Sequence, residues 1–198
     1  MRRTFQSPST WALLATLLVL GWQSLTVQAN FAGNWTGLFR TGAEMRVPPR
    51  LAAATWRNLN PTGYDGQFYR YLAHDPFLRR DTADYIDGPV LRARRILVPL
   101  AAWALACGDE SRVDAAYVAV IALWIFAGVW WTSRLSLFHG RSAAWGLAFL
   151  AIPAAPVAMD SMTVDVALAA LTVCFVWQFR SGESRWLWWT LAAAALVR

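Results

Sequence analysis

Residues 11–29 read WALLATLLVLGWQSLTVQA, a run without a single charge. At 1.5 Å per residue such a helix is about 28 Å long, close to the hydrocarbon thickness of a bilayer. Arg2 and Arg3 stand before it. Basic residues stay on the cytoplasmic side, so the helix is expected to start inside and run outward. Val27-Gln28-Ala29 also resembles the small-residue end of a cleavable signal peptide. Under either reading, the polar residues after Ala29 are exported.

The same pattern returns along the chain. Val113–Trp131, Ala143–Met159 and Met162–Phe179 are further apolar runs of spanning length, and Trp186 opens another that reaches the last residues, 186–198. The last run has too few residues to cross, so 1–198 is expected to be the N-terminal portion of a larger membrane domain. The chain is 57% hydrophobic and 15% charged, whereas soluble domains carry about 25% charged residues. The fold class expected is therefore all-α, a polytopic transmembrane helical protein. Several of the thirteen tryptophans cluster at the ends of apolar runs, where amphipathic rings settle at headgroup level.

Between the first and second spans lies a polar segment, 30–112. Its part from 30 to 95 holds ten arginines and six acidic residues. A connection this long is functional or locally folded. Arg50–Leu59 suggests a short helix on the membrane surface. Ile96–Gly108 is apolar but only thirteen residues long, with Pro99 near its start, which favours a re-entrant or interfacial segment. If it does not cross, the basic groups Arg134–Arg141 and Arg180–Arg185 fall on the cytoplasmic side, as the charge rule asks. Asp160 then shares the outer side with Asp65 and Asp75. If it crosses, Arg134 and Arg141 fall outside and Asp160 inside, which contradicts the rule twice.

The net charge of +6 raises nucleic acid as a partner, but the arginines flank apolar runs and no nucleic-acid-binding pattern occurs. Membrane lipids are the partner expected instead. Cys107 and Cys174 each sit in an apolar run without metal-ligand spacing and read as buried thiols.

The residues with chemical potential gather in Gly63-Tyr64-Asp65-Gly66-Gln67-Phe68-Tyr69-Arg70 and in Ala73-His74-Asp75-Pro76 just beyond. Asp65 is a candidate catalytic base toward an acceptor hydroxyl, and it is equally a turn-forming Asp-Gly pair. Tyr64, Gln67, Tyr69 and Arg70 are candidate substrate contacts. Asp75 is a further contact or a turn cap, and His74 a candidate acid-base group. Arg92, Arg94 and Arg95 suit a lipid phosphate or plain interfacial anchoring. Asp81, Asp84 and Asp87 recur at every third position, as a divalent-cation site or as a solvated acidic patch. Asp160, beside a proline-broken helix end, is the second catalytic candidate, and Asp165 a contact at membrane depth. Asp114 reads as a first-turn carboxylate favoured by the helix dipole. Walker, dinucleotide, HExxH and GxSxG patterns are all missing.

Three pieces carry a resemblance: Gly63 to Tyr69, Ala73-His74-Asp75-Pro76-Phe77, and Arg94-Arg95-Ile96-Leu97-Val98-Pro99-Leu100. Together they resemble bacterial integral-membrane proteins that look like a branch of the GT-C glycosyltransferase superfamily. The resemblance implies a polyprenyl-phosphate-linked sugar donor, a catalytic acid at Asp65 in the first external loop, and short surface helices at 50–59 and 96–108. It implies a second carboxylate at Asp160. The superfamily often pairs two acids in that loop, and here Gly66 follows Asp65, which leaves the mechanism open. The expected function is inverting sugar transfer to an extracytoplasmic hydroxyl, with arginines and, in one version, a divalent metal stabilising the leaving phosphate. The expected location is the bacterial cytoplasmic (inner) membrane, with the N-terminus inside. A carrier using Asp160 and Asp165 for coupling ions and a non-catalytic assembly protein are the alternatives.

Overall fold

The computed structural model describes residues 7–198, so Arg2 and Arg3 lie outside the described residues. Among those residues the regular structure is helical, and the β pairing is one isolated bridge between Gly42 and Asn58. Helix α1 runs from Pro8 to Phe31. Proline suits its first turn because that N–H would be unsatisfied anyway. Ala12, Ala15, Val19, Gln23, Val27 and Phe31 form its buried stripe, at helical spacing. The opposite face exposes Leu13, Leu14, Leu17, Leu18, Trp22 and Leu25. A helix apolar on both faces suits a hydrocarbon environment.

Within the polar segment, α2 (Pro49–Ala52), α3 (Gly66–His74), α4 (Pro89–Ala93) and α5 (Leu97–Leu105) form in sequence, with 3₁₀ turns at Trp35–Phe39 and Asp81–Tyr85. The surface helix expected over 50–59 shrinks to the single turn α2. Helix α5 is nine residues long, about 13 Å, far short of a crossing. It packs along α3 and the next helix in the chain.

That helix, α6 (Glu110–Phe138), is the hub of the bundle. Asp109 caps it by accepting from the Ser111 N–H at 3.0 Å, and Glu110 complements the dipole. It packs against α1, α5, the 143–151 segment and the helix over Asp165–Ser181. Helices α1 and α6 are long and apolar enough to cross a membrane.

The apolar span expected over 143–159 is broken in the middle, and its two halves together are long and apolar enough for one bent crossing. Ala143–Ala151 is a 3₁₀ helix, α7 covers Ala154–Ser161, and the two bend by 64°. Pro153 at the joint has no N–H to give and crowds the preceding turn. Met162 closes α7 at φ 50°, so α8 begins only at Asp165 and ends at Ser181. Its 17 residues make about 25 Å, and it is not among the helices long and apolar enough to cross. Helix α9 occupies Leu187–Ala195.

Contacts fix which ends lie together. The Tyr117 hydroxyl donates to the Met162 carbonyl at 3.0 Å, and Arg40 Nε donates to the Asp160 carbonyl at 2.9 Å. The polar segment and the 160–165 turn therefore share one end of the bundle. The start of α1 and the ends of α6 and α8 meet at the other, around Pro8, Phe138 and Ser181.

Candidate functional site

Helix α3 is the part of the polar segment on which the rest is laid, and all of its residues are buried. Two glycines make that possible. Gly63 sits at φ +67°, and a Cβ there would overlap the Arg40 carbonyl. Gly66 lies so close to the Ser161 carbonyl oxygen that any side chain would collide with it. The first turn of α3 is thus pressed against the end of α7.

Burial decides what the α3 side chains do. Arg70 is fully enclosed. Its Nε and Nη2 hold Asp114 Oδ1 and Oδ2 at 2.7 and 2.8 Å, and Nη1 donates to Thr55 Oγ1 at 2.6 Å. His74 Nε2 lies 3.1 Å from the same Asp114 Oδ1, and its Nδ1 is buried without a partner among the described residues. This ion pair ties the polar segment to the head of α6. Gln67 donates to the Thr62 carbonyl at 2.9 Å and accepts from the Gly42 N–H at 3.3 Å. Asp75 accepts from the N–H groups of Arg79 and Arg80 at 3.1 and 3.0 Å. Burial works to raise its carboxyl. Hydrogen bonds from Arg80, Thr82 and Arg79, with the Arg50 charge, outweigh that and hold it below the ordinary value. Arg70, Gln67, Asp75 and His74, all read from sequence as site groups, are thereby committed to holding the fold.

Asp65 stands differently. Its side chain is 46% exposed, and Arg92 grips it with Nη1–Oδ2 at 2.7 Å and Nη2–Oδ1 at 2.8 Å. Arg92 also donates through Nε to Asp87 at 3.0 Å and lies over the rings of Phe68 and Tyr69. Burial opposes its charge. Hydrogen bonds to Asp65, Asp87 and Tyr69 overcome this and push the guanidinium above its ordinary value, so it stays protonated. The Tyr69 hydroxyl accepts from Arg92 and Arg95 at 3.4 and 3.3 Å, and Arg95 reaches toward Asp165 at 4.0 Å. Asp65, Tyr69, Arg92, Arg95 and Asp165 therefore form one connected ionic patch. Arg94 is exposed and outside it.

On the other side of the α3–α7 contact opens a cleft of about 900 Å³. Tyr64, Asp160, Arg40, Arg57, Asn58 and Pro156 are among its lining residues, and Asp65 is not. The sequence pattern put Asp65 and Asp160 in one pocket. Only Tyr64 joins Asp160 there, because the helical turn after Gly63 directs Asp65 to Arg92. Asp160 Oδ1 accepts from the Trp22 indole N–H at 2.9 Å, while Oδ2 has no partner among the described residues. Arg40 uses Nε on the Asp160 carbonyl, and Arg57 uses Nη1 on the carbonyls of Gly42, Ala43 and Met45. Their remaining guanidinium N–H groups are without protein partners among the described residues. The cleft so pairs one available carboxylate oxygen with two cations.

Sequence reasoning missed Trp22, Arg40, Arg57 and Asn58, which come from distant parts of the chain and belong to no spaced motif. Arg40 left no local mark except its φ of 54°, visible only in the fold. Among the described residues no three His, Cys, Asp or Glu side chains converge as a metal site, and Asp87 is paired with Arg92 instead. Cys107 is exposed, not buried, because α5 ends just before it, and Cys174 is buried. No protein-family model, curated protein or solved structure matches the chain.

Proposed function

We propose that this chain carries a membrane-surface glycosyl-transfer site that takes a sugar from a polyprenyl-phosphate donor. The observation that carries the reading is the cleft, where an unpaired oxygen of Asp160 lies with Arg40 and Arg57 beside a helix able to cross a bilayer. An anionic leaving group and a hydroxyl acceptor need those two kinds of group together. Tyr64 and Trp56 on the same wall offer ring faces to a sugar.

In the proposed step, the acceptor oxygen attacks the anomeric carbon as the bond from that carbon to the phosphate oxygen breaks. The acceptor proton passes to Asp160. The polyprenyl phosphate leaves with the bonding electrons against Arg40 and Arg57, and the anomeric configuration inverts. Asp65 has both oxygens on Arg92 and lies outside the cleft, so its role is to brace the start of α3, with Tyr69, Arg95 and Asp165. The membrane is the bacterial inner membrane, the N-terminus lies inside and the cleft opens outside, as the positions of the short basic loops favour.

The test is turnover of labelled polyprenyl-phosphate sugars by the chain in liposomes, with release of polyprenyl phosphate as readout. Asp160→Asn is expected to lose transfer by at least about 10²-fold while donor binding persists. Unchanged turnover in that variant overturns the assignment. One observation favours a second reading: the break between 143–151 and α7 resembles the discontinuous helices of carriers. Substrate uptake that depends on a proton or sodium gradient, without donor cleavage, would select it.

A further inference from the structure

At the end of the bundle remote from the cleft, Arg134 sits in a cage of tryptophans. Its guanidinium carbon lies 4.1 Å from the ring centre of Trp177, 5.0 Å from Trp130 and 6.0 Å from Trp131. The indoles brace one another, with Trp130–Trp131 centroids 4.4 Å apart and Trp131–Trp177 centroids 4.9 Å apart. Arg134 makes neither a hydrogen bond nor an ion pair among the described residues. A cation bound by ring faces is held in place, yet its N–H edge remains able to donate. Beside it opens a cavity of about 450 Å³, lined by Pro8, Leu137, Phe138, Trp177, Ser181 and Glu183 with Arg134 itself.

The surroundings define the occupant. Phe138, Phe179, Trp186, Trp188 and Trp189 are exposed aromatics at this end, the composition of a membrane–water interface. Arg141, Arg180 and Arg185 are exposed cations nearby in sequence, against the single carboxylate of Glu183. A fixed guanidinium edge, an adjoining cavity with apolar walls and an aromatic rim fit a phosphodiester with acyl chains attached. We propose that the Arg134 cage binds the phosphate of an anionic membrane phospholipid. The lipid's chains lie against Leu137 and Phe138, and Arg134 donates two parallel N–H bonds to the phosphate oxygens. The site is separate from the cleft and stands whether or not that cleft transfers sugars.

The experiment reconstitutes the chain in nanodiscs of mixed phosphatidylglycerol and phosphatidylcholine, then counts retained lipids by native mass spectrometry after detergent release. Retention of phosphatidylglycerol over phosphatidylcholine is expected. Arg134→Gln is expected to lower it about tenfold, since hydrogen bonds to charged groups are among the strong ones. Arg112→Gln, at the opposite end of α6 beside Asp109, is expected to leave it unchanged. Glu183→Gln removes the one opposing carboxylate and should raise retention, which keeps a readout if the Arg134 variant unfolds. Equal retention of both lipids, no change in both Arg134→Gln and Glu183→Gln, or full displacement by millimolar inorganic phosphate overturns the proposal.

Discussion

Two arginines of the polar segment each grip an aspartate with two nitrogens, and they do different work. Arg70 is enclosed and meets Asp114, whose side chain is 26% exposed, with His74 and Thr55 taking further directions. Arg92 and Asp65 meet at the surface of the same segment, with a half-exposed carboxylate and a second acid, Asp87, sharing the cation. Bond lengths barely distinguish the pairs. Enclosure does. A buried pair cannot be opened without leaving a charge away from water, so it fixes structure. A half-exposed pair can exchange partners with water or a ligand at little cost.

That contrast can be broken experimentally, and the largest effect is expected at the enclosed pair. Arg70→Met leaves Asp114 with His74 as its remaining partner and should cost about 3 kcal/mol of stability, the low end for breaking a buried pair, read by reversible unfolding in mixed detergent. An unfolding curve that barely moves would mean that the head of α6 is wet and the contrast false. Asp160→Asn should leave unfolding nearly unchanged yet lower transfer by at least about 10²-fold, because its free oxygen serves the cleft and not the packing. Next comes Gly66→Ala. Its methyl group would meet the Ser161 carbonyl, and separating α3 from α7 should cost about 1–3 kcal/mol. Arg92→Gln breaks the exposed pair and should cost no more than about 1 kcal/mol. A cost equal to that of Arg70→Met would erase the difference between the two pairs.

The smallest effect concerns acid. Asp75 has its native pKa held below the unfolded value. Its contribution is therefore full above the unfolded carboxylate pKa and is lost as pH falls through the lowered native value. Asp75→Asn should flatten that acid limb of the stability curve and leave its neutral plateau sloped as before. An unchanged acid limb would show that the two backbone N–H bonds contribute equally to the unfolded chain.

Much of the fold was legible because hydrophobic length is a local property. Residues 11–29 and 113–131 announced helices that became Pro8–Phe31 and Glu110–Phe138. The shortness of 96–108 foretold a helix of only nine residues, too short to span a bilayer by itself. Pro153 was visible too, but the 64° bend at its joint was not, because a proline fixes its own φ and not the angle between the flanking helices. The candidate site was legible only in part. Asp160 and Tyr64 line the cleft as members of one pocket. Asp65, the residue with the clearest local signature, turned instead to Arg92. Arg70 and Gln67 looked like site groups because a polar side chain in a loop is read as available. Nothing nearby in the sequence told that α3 would be enclosed on every side.

Residue order was enough to specify the helical class, the apolar spans and the concentration of charge in one segment, because burial in hydrocarbon demands continuous apolar stretches wherever they fall. Which carboxylate stays available was chosen by the folded chain. Asp114 lies 44 residues from Arg70, and Asp160 lies 120 residues from Arg40, so their pairing comes from chain packing and not from spacing. Packing sets how much water each charge keeps, and that residual hydration separates a structural ion pair from a site.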